Sequence, residues 1–319
     1  MTDLFENRAL ARLADADAAV RRIAVLDLAD LEDEALVPTL VATLRGDTSP
    51  EVRREAANVL AAWEQEDVVE ALCAALLDTD ASVREAAQQA LSELKDAASA
   101  NVLRRWAARP EPFARRAALR GLRELRDAAA FEPALAALDD ADAQVRLEAV
   151  AVLGWLKDAR ALAPLSALLA TDAQVPVRHA AAGALGFAAP DDAHAAPALL
   201  HALGDADWQV REEAATTLGK LHNHAARDAL VTALADDYWQ VRLRATRALG
   251  RLADPQAAGA IGALLTHSIS NLRKEAALAL GEIGAPASIA LLQAALKDRD
   301  PEVRKAVRIA LQQVESRAS

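Results

Sequence analysis

The stretch that decides the architecture is Asp205-Ala206-Asp207-Trp208-Gln209-Val210-Arg211-Glu212-Glu213-Ala214-Ala215-Thr216-Thr217-Leu218-Gly219. Val210, Ala214 and Leu218 stand four residues apart, so in an α-helix they form one apolar stripe. Asp207, three residues before the valine, is placed to cap the helix with its carboxylate. The Val-Arg pair at its centre recurs along the chain, with arginines at Arg21, Arg53, Arg84, Arg115, Arg146, Arg178, Arg211, Arg242, Arg273 and Arg304. Successive gaps are 31, 32 or 33 residues, and the preceding residue is Val except at Ala114 and Leu272. Ten copies at so steady a period identify a tandem repeat rather than chance.

The rest of the motif repeats with it. Four residues after the Val position stands Ala in every copy but the last, which has Val307; eight residues after it stands Leu in all ten. The small residue mid-stripe lets a neighbouring helix come close. Asp17, Ser49, Asp80, Asp142, Asp207 and Asp300 are the expected N-caps. In Ser49-Pro50, Glu111-Pro112 and Asp300-Pro301 a proline follows, at the first helical position where its missing N–H costs nothing. A first helix precedes each of these, as at 68–77, 161–169 and 289–296. One helix pair cannot bury its own stripe, so every repeat needs neighbours. The repeats fall at about 1–31, 32–63, 64–94, 95–126, 127–156, 157–190, 191–221, 222–252, 253–283 and 284–319, with no Gly-, Ser- or Pro-rich linker, and read as one continuous domain.

Composition agrees with all-α structure. The 319 residues are 53% hydrophobic but only 3% aromatic, so Ala and Leu, both good helix formers, carry the apolar mass. The formal charge of -11, from 36 basic and 47 acidic residues, repels phosphate backbones at long range and disfavours generic nucleic-acid binding. Cys73 is the only cysteine, which excludes an intrachain disulfide; within an apolar helical stretch it reads as a buried, inert thiol. Met1-Thr2-Asp3-Leu4-Phe5-Glu6 lacks the form of a signal peptide, and no apolar run approaches the ~20 residues that span a bilayer. The expectation is a cytoplasmic protein with no membrane contact.

The unit Asp-x-Asp-x-x-Val-Arg-x-x-Ala-x-x-x-Leu-Gly, clearest over 205–219, resembles the HEAT repeat, in particular the short-repeat subclass of phycobilin lyase (PBS lyase) subunits. The resemblance covers nearly the whole chain. It implies an α-solenoid, a right-handed superhelix of ten two-helix repeats, whose second helices line the concave face. It implies no single activity, because such scaffolds serve adaptors, lyases, hydroxylases and DNA-repair enzymes. The His-Glu pairs with which HEAT-like hydroxylases bind two irons have no counterpart among the six histidines.

Candidate chemistry has to be separated from the repeat. An aspartate stands six before the repeated arginine at Asp15, Asp47, Asp78, Asp140, Asp172, Asp205, Asp236 and Asp298, so an Asp–Arg ladder joining consecutive turns is expected. Trp208 and Trp239 hold one position in adjacent repeats, with Tyr238 beside the latter: either an aromatic rim for a ligand or packing between repeats. His222 and His224, with His194, Asp191 and Asp192 near the corresponding turn, make a metal site thinkable, but no ligand set of fixed spacing is present and none is assigned. No catalytic motif and no cofactor site can be isolated.

Departures from the repeat are the better guide, since structure demands sameness and recognition demands difference. Two and six residues after the Val position, on the face opposite the stripe, repeats one to four are mainly polar, including Arg116 and Arg120. Repeat five has Leu147 and Ala151 there, and repeat six His179 and Gly183. Trp155 and Phe187 flank that face, exposed to a partner or turned sideways between repeats. Beside them, 104–126 holds eight arginines against Glu111 and Glu124. An apolar patch next to cationic groups suits an acidic partner helix or an anionic group with an apolar body. The leading expectation is a non-catalytic scaffold or adaptor gripping a protein partner through Arg116, Arg120, Leu147, Ala151, Trp155, His179, Gly183 and Phe187. The rivals are a bilin-lyase-like or chaperone protein cradling a tetrapyrrole or other anionic cofactor, and a nucleic-acid binder using the arginines of repeat four.

Overall fold

The computed structural model describes residues 2–318; Met1, on which the N-terminal reading partly rests, and Ser319 lie outside the described residues. Among the described residues there are twenty α-helices, nine short 3-10 turns and no strand, as the periodicity requires. The contacts gather into two units divided between Leu156 and Lys157.

The first unit contains the pairs Thr2–Arg12 and Ala18–Ala29, Val37–Gly46 and Pro50–Leu60, Glu66–Ala75 and Ala81–Ser92, Ala100–Trp106 and Pro112–Glu124, and Phe131–Ala136 and Ala143–Leu156. The second contains Leu162–Thr171 and Val175–Ala184, Ala195–Ala202 and Trp208–Lys220, Arg227–Ala233 and Trp239–Leu252, Ala258–Ala263 and Ser270–Ile283, and Ser288–Ala294 and Pro301–Ala318. Within each unit a second helix packs on its own first helix and on the neighbouring second helices.

The predicted stripe is the core. Val52, Ala56 and Leu60 in the first unit, and Val210, Ala214 and Leu218 in the second, have no exposed surface. Close approach explains the glycines late in the second helices better than termination does. A Cβ on Gly219 would lie 2.7 Å from the Cα of Ala248, and one on Gly250 would lie 2.9 Å from the Cα of Ala279, distances at which backbone must move.

The caps follow the sequence with one exception. Asp17, Asp80 and Asp207 accept the backbone N–H of Ala19, Ser82 and Gln209, and Asp142 and Asp300 accept those of Gln144 and Glu302. Ser49 does not cap with its side chain. Its hydroxyl donates instead to the Glu51 carboxylate at 2.6 Å, a charge-assisted bond.

The Asp–Arg ladder forms between consecutive repeats within each unit. Arg21 to Asp47, Arg53 to Asp78 and Arg115 to Asp140 are its rungs in the first unit; Arg178 to Asp205, Arg211 to Asp236 and Arg273 to Asp298 are those in the second. Each is bidentate. Arg211 donates from Nε to Asp236 at 2.7 Å and from a terminal nitrogen at 3.0 Å, while its other terminal nitrogen reaches back to the Asp205 carbonyl at 2.7 Å. Asp236 also accepts the Tyr238 N–H at 2.9 Å. One arginine thus ties its own turn to the next, and one aspartate both closes that tie and shapes the turn that opens the following helix. The rung is largely withdrawn from water, with 13% and 11% of the two side chains exposed, so its strength depends on every hydrogen bond being present.

Candidate functional site

The first unit carries Arg116, Arg120, Leu147, Ala151 and Trp155. Leu147 and Ala151 are half-buried on the helix Ala143–Leu156, whose Val145, Ala149, Val150, Val152 and Leu153 are in the core. Trp155, near the end of that helix, is 42% exposed, with the Arg126 guanidinium 5.8 Å from its ring centre. Arg116 is half-buried, 5.0 Å from the Phe113 ring, and donates to Gln88 at 3.2 Å; Arg120 is exposed.

The basic run around them is largely neutralised by acids distant in sequence. Arg104 pairs with Asp127, Arg105 with Glu66 and Glu70, Arg115 with Asp140, and Arg123 with Glu148 and Glu124. Arg109 lies 3.7 Å from Glu111 and stacks over Trp106. Among the described residues, Arg116, Arg120 and Arg126 alone of the eight have no carboxylate partner. Local composition could not reveal this, because most of the compensating acids belong to other repeats.

The second unit carries His179, Gly183 and Phe187. His179 Nε2 is 3.8 Å from Glu213, and a Cβ on Gly183 would stand 2.8 Å from the same carboxylate. These two positions therefore lie beside an acid supplied by the next repeat. Phe187 is half-buried.

The aromatic rim is also in the second unit, in a different arrangement from simple periodicity. Trp208 stacks on Tyr238, not on Trp239, with ring centres 5.5 Å apart and planes 10° from parallel. The Arg211 guanidinium lies 5.7 Å from the Tyr238 ring. Tyr238 and Trp239 are 46% and 37% exposed. Ile269 occupies the position in repeat nine that Tyr238 occupies in repeat eight, so Trp239 meets no ring there. An open cleft of about 750 Å³ is lined by residues including Leu203, Asp205, Arg211, Ala233, Asp236 and Asp237.

Two other features resolve. Cys73 has no exposed surface, and burial pushes its thiol pKa well up. No three His, Cys, Asp or Glu side chains among the described residues are placed to hold a metal ion. The ring of His222 instead lies 3.1 Å from the Arg251 carbonyl, and the Asn223 amide donates to the Pro190 carbonyl and accepts the Ala226 N–H.

One feature of the second unit was missed by the sequence reading. The ladder aspartate is replaced by His267 in repeat nine, and the side chain of the facing Arg242 makes no hydrogen bond or ion pair among the described residues. The signal was present: a histidine six residues before Arg273, where the ladder expects aspartate.

A model of HEAT repeats matches the sequence over 7–92, 37–118, 101–186, 169–242 and 228–312. No functionally curated protein matches. An engineered protein shares the fold with TM-score 0.59 at 24% identity, over 97% of this chain and 98% of its own. YibA of Escherichia coli does so with TM-score 0.60 at 20% identity, over 85% and 98%. Kap95p, solved with RanGDP, matches with TM-score 0.69 at 14% identity over the whole of this chain, which spans about half of Kap95p. At these identities the likeness is one of fold. No helix among the described residues is long and apolar enough to cross a membrane.

Proposed function

The chain belongs to the HEAT-repeat family, and from that premise we propose that it is a non-catalytic scaffold that holds a protein partner against its second helices. The observation that carries the reading is apolar surface left in water where the repeat does not need it. Trp155, Tyr238 and Trp239 are 42%, 46% and 37% exposed, and large rings at a partly exposed site are the side chains that most often anchor protein interfaces. Arg126, 5.8 Å from the Trp155 ring and without a carboxylate partner among the described residues, adds charge to that surface, and Arg116 and Arg120, likewise without one, belong to the same reading for the first unit. His179, Gly183 and Phe187 belong to the same reading for the second unit. Kap95p gives it general support: it shares the fold and was solved with the protein partners RanGDP and Nup1. Within the family, the period of 31 to 33 residues favours the short-repeat subclass of the phycobilin lyases, and a single, buried cysteine suits a cytoplasmic location.

The experiment is co-purification of the chain from its native cell, followed by quantitative binding of the recovered protein to variants. Trp155→Ala with Arg116→Ala, or Tyr238→Ala with Trp239→Ala, is expected to weaken binding by about a hundredfold or more, the scale of an interface hot spot. Full binding by both double variants would show that the partner is held elsewhere. A bound tetrapyrrole with visible absorbance, or salt-sensitive retention of DNA, would instead favour the lyase-like or nucleic-acid reading.

A further inference from the structure

Arg242 is the exception among the ten repeated arginines. Nine reach back with a terminal nitrogen to a carbonyl in their own turn, as Arg84 does to Asp78 and Thr79 and Arg273 does to His267 and Ser268. Arg242 makes neither that bond nor a forward one among the described residues. Its Nε is buried with no acceptor. The forward bond is missing because His267 replaces the aspartate, and the His267 ring is already used: its Nδ1 accepts the Ile269 N–H at 3.0 Å, the bond to the turn that Asp236 makes in the previous repeat. The substitution therefore keeps the turn and removes only the carboxylate that would have faced the arginine.

A further observation falls at the same place. Trp239, an exposed ring, stands three residues before Arg242 on the same helix, the spacing that puts side chains on one helical face, and Tyr238, also exposed, is the residue just before that helix. The nearby arginines are satisfied, Arg244 by Glu212 and Arg247 by Glu275. The buried Nε is closed to an incoming group, but the two terminal nitrogens, which are not buried and have no partner among the described residues, can grip a carboxylate end-on through two parallel bonds.

We infer that the open rung at Arg242 receives a carboxylate from the partner, so that the segment bound here carries an Asp or Glu next to an aromatic or branched apolar residue. The incoming acid takes the terminal nitrogens of Arg242, which the substitution at His267 leaves without a carboxylate, and the neighbouring apolar side chain packs on Trp239. This inference rests on the scaffold reading and gives it a recognition chemistry. It also makes the partner's acid the counterpart of an internal group that a single substitution would restore: His267→Asp should build the rung inside the chain and shut the partner out.

The test uses the full chain. Random dodecapeptides displayed on phage are selected against it, and the recovered peptides are measured by fluorescence polarisation on the wild type, His267→Asp, Arg242→Gln and Arg84→Gln. The expected result is enrichment of Asp or Glu beside an apolar residue, with affinity at least about tenfold weaker on His267→Asp and Arg242→Gln and within about twofold on Arg84→Gln. His267→Asp should melt at the wild-type temperature or above, which separates loss of binding from loss of fold. Peptides without acidic enrichment, no recovered peptide at all, or undiminished binding to His267→Asp would overturn the inference. Peptides that need Trp239 yet ignore His267→Asp would overturn it while leaving the scaffold reading intact.

Discussion

Replacing Asp236 by alanine tests the ladder at a rung where every contact is defined. The change removes two charge-assisted bonds from Arg211, at 2.7 and 3.0 Å, and the acceptor of the Tyr238 N–H at 2.9 Å. Arg211 would stay fixed by the Asp205 carbonyl at 2.7 Å, with only 13% of its side chain exposed, so its Nε could not easily recover water. A buried charge left without its partner costs about 3–5 kcal/mol, and the lost turn bond adds about 1 kcal/mol. The effect should be local, because each repeat touches only its neighbours. The assay is native-state hydrogen exchange: amides of the helices Trp208–Lys220 and Trp239–Leu252 should lose protection by about three to four powers of ten. Asp228→Ala is the control, since that carboxylate is 84% exposed although it sits 2.8 Å from Arg227, and it should change nothing measurable. A loss below about 1 kcal/mol at Asp236, or equal losses at both sites, would refute the view that the ladder holds the repeats together.

Other outcomes follow from the same contacts. The Arg21, Arg53 and Arg273 guanidiniums hold the carboxyls of Asp47, Asp78 and Asp298 below their ordinary range, against the opposing effect of burial. Their folded pKa values lie below the unfolded ones, so their stabilisation is complete above about pH 4 and disappears as pH falls through the depressed values; melting temperature should drop steeply there, and a flat profile would contradict the pairing. Gly219→Ala must displace backbone at Ala248 and should cost about 1–3 kcal/mol by urea unfolding, whereas Gly259→Ala, with nothing within 4 Å of the added Cβ, should be neutral or stabilising by up to about 1 kcal/mol. Cys73 should resist a thiol reagent in the native state and react only on unfolding, because it is enclosed and its thiol pKa is raised; stoichiometric native labelling would show the site is open.

The repeat was legible in the sequence because one motif serves packing, capping and the ladder at once, so each copy confirms the others. Val, Ala and Leu at four-residue spacing marked the core, and the Asp–Arg pairs marked the joints between turns. What could not be read was what side chains outside the repeated motif settle between one repeat and the next. The arginines of 104–126 looked like a charged patch until acids such as Glu66, Asp127, Asp140 and Glu148 came beside them. Gly183 looked like open apolar surface, but Glu213 from the next repeat lies over it. Trp208 and Trp239 are equivalent by count, yet the stack forms with Tyr238, because contact depends on ring direction and not on register alone. The same distinction explains why His267 passed unnoticed. Its departure from the repeat is visible in the sequence, but the unsatisfied Arg242 that gives it meaning becomes visible only when the two turns are built.

The most direct measurement is a hydrogen-exchange footprint of the chain with and without its co-purified protein partner. If exposed rings on the second helices hold that partner, binding should slow exchange at the first turns of Trp239–Leu252 or around Trp155, and leave first helices such as Glu66–Ala75 unchanged. Protection confined to the first helices, with the aromatic positions unaltered, would contradict the account.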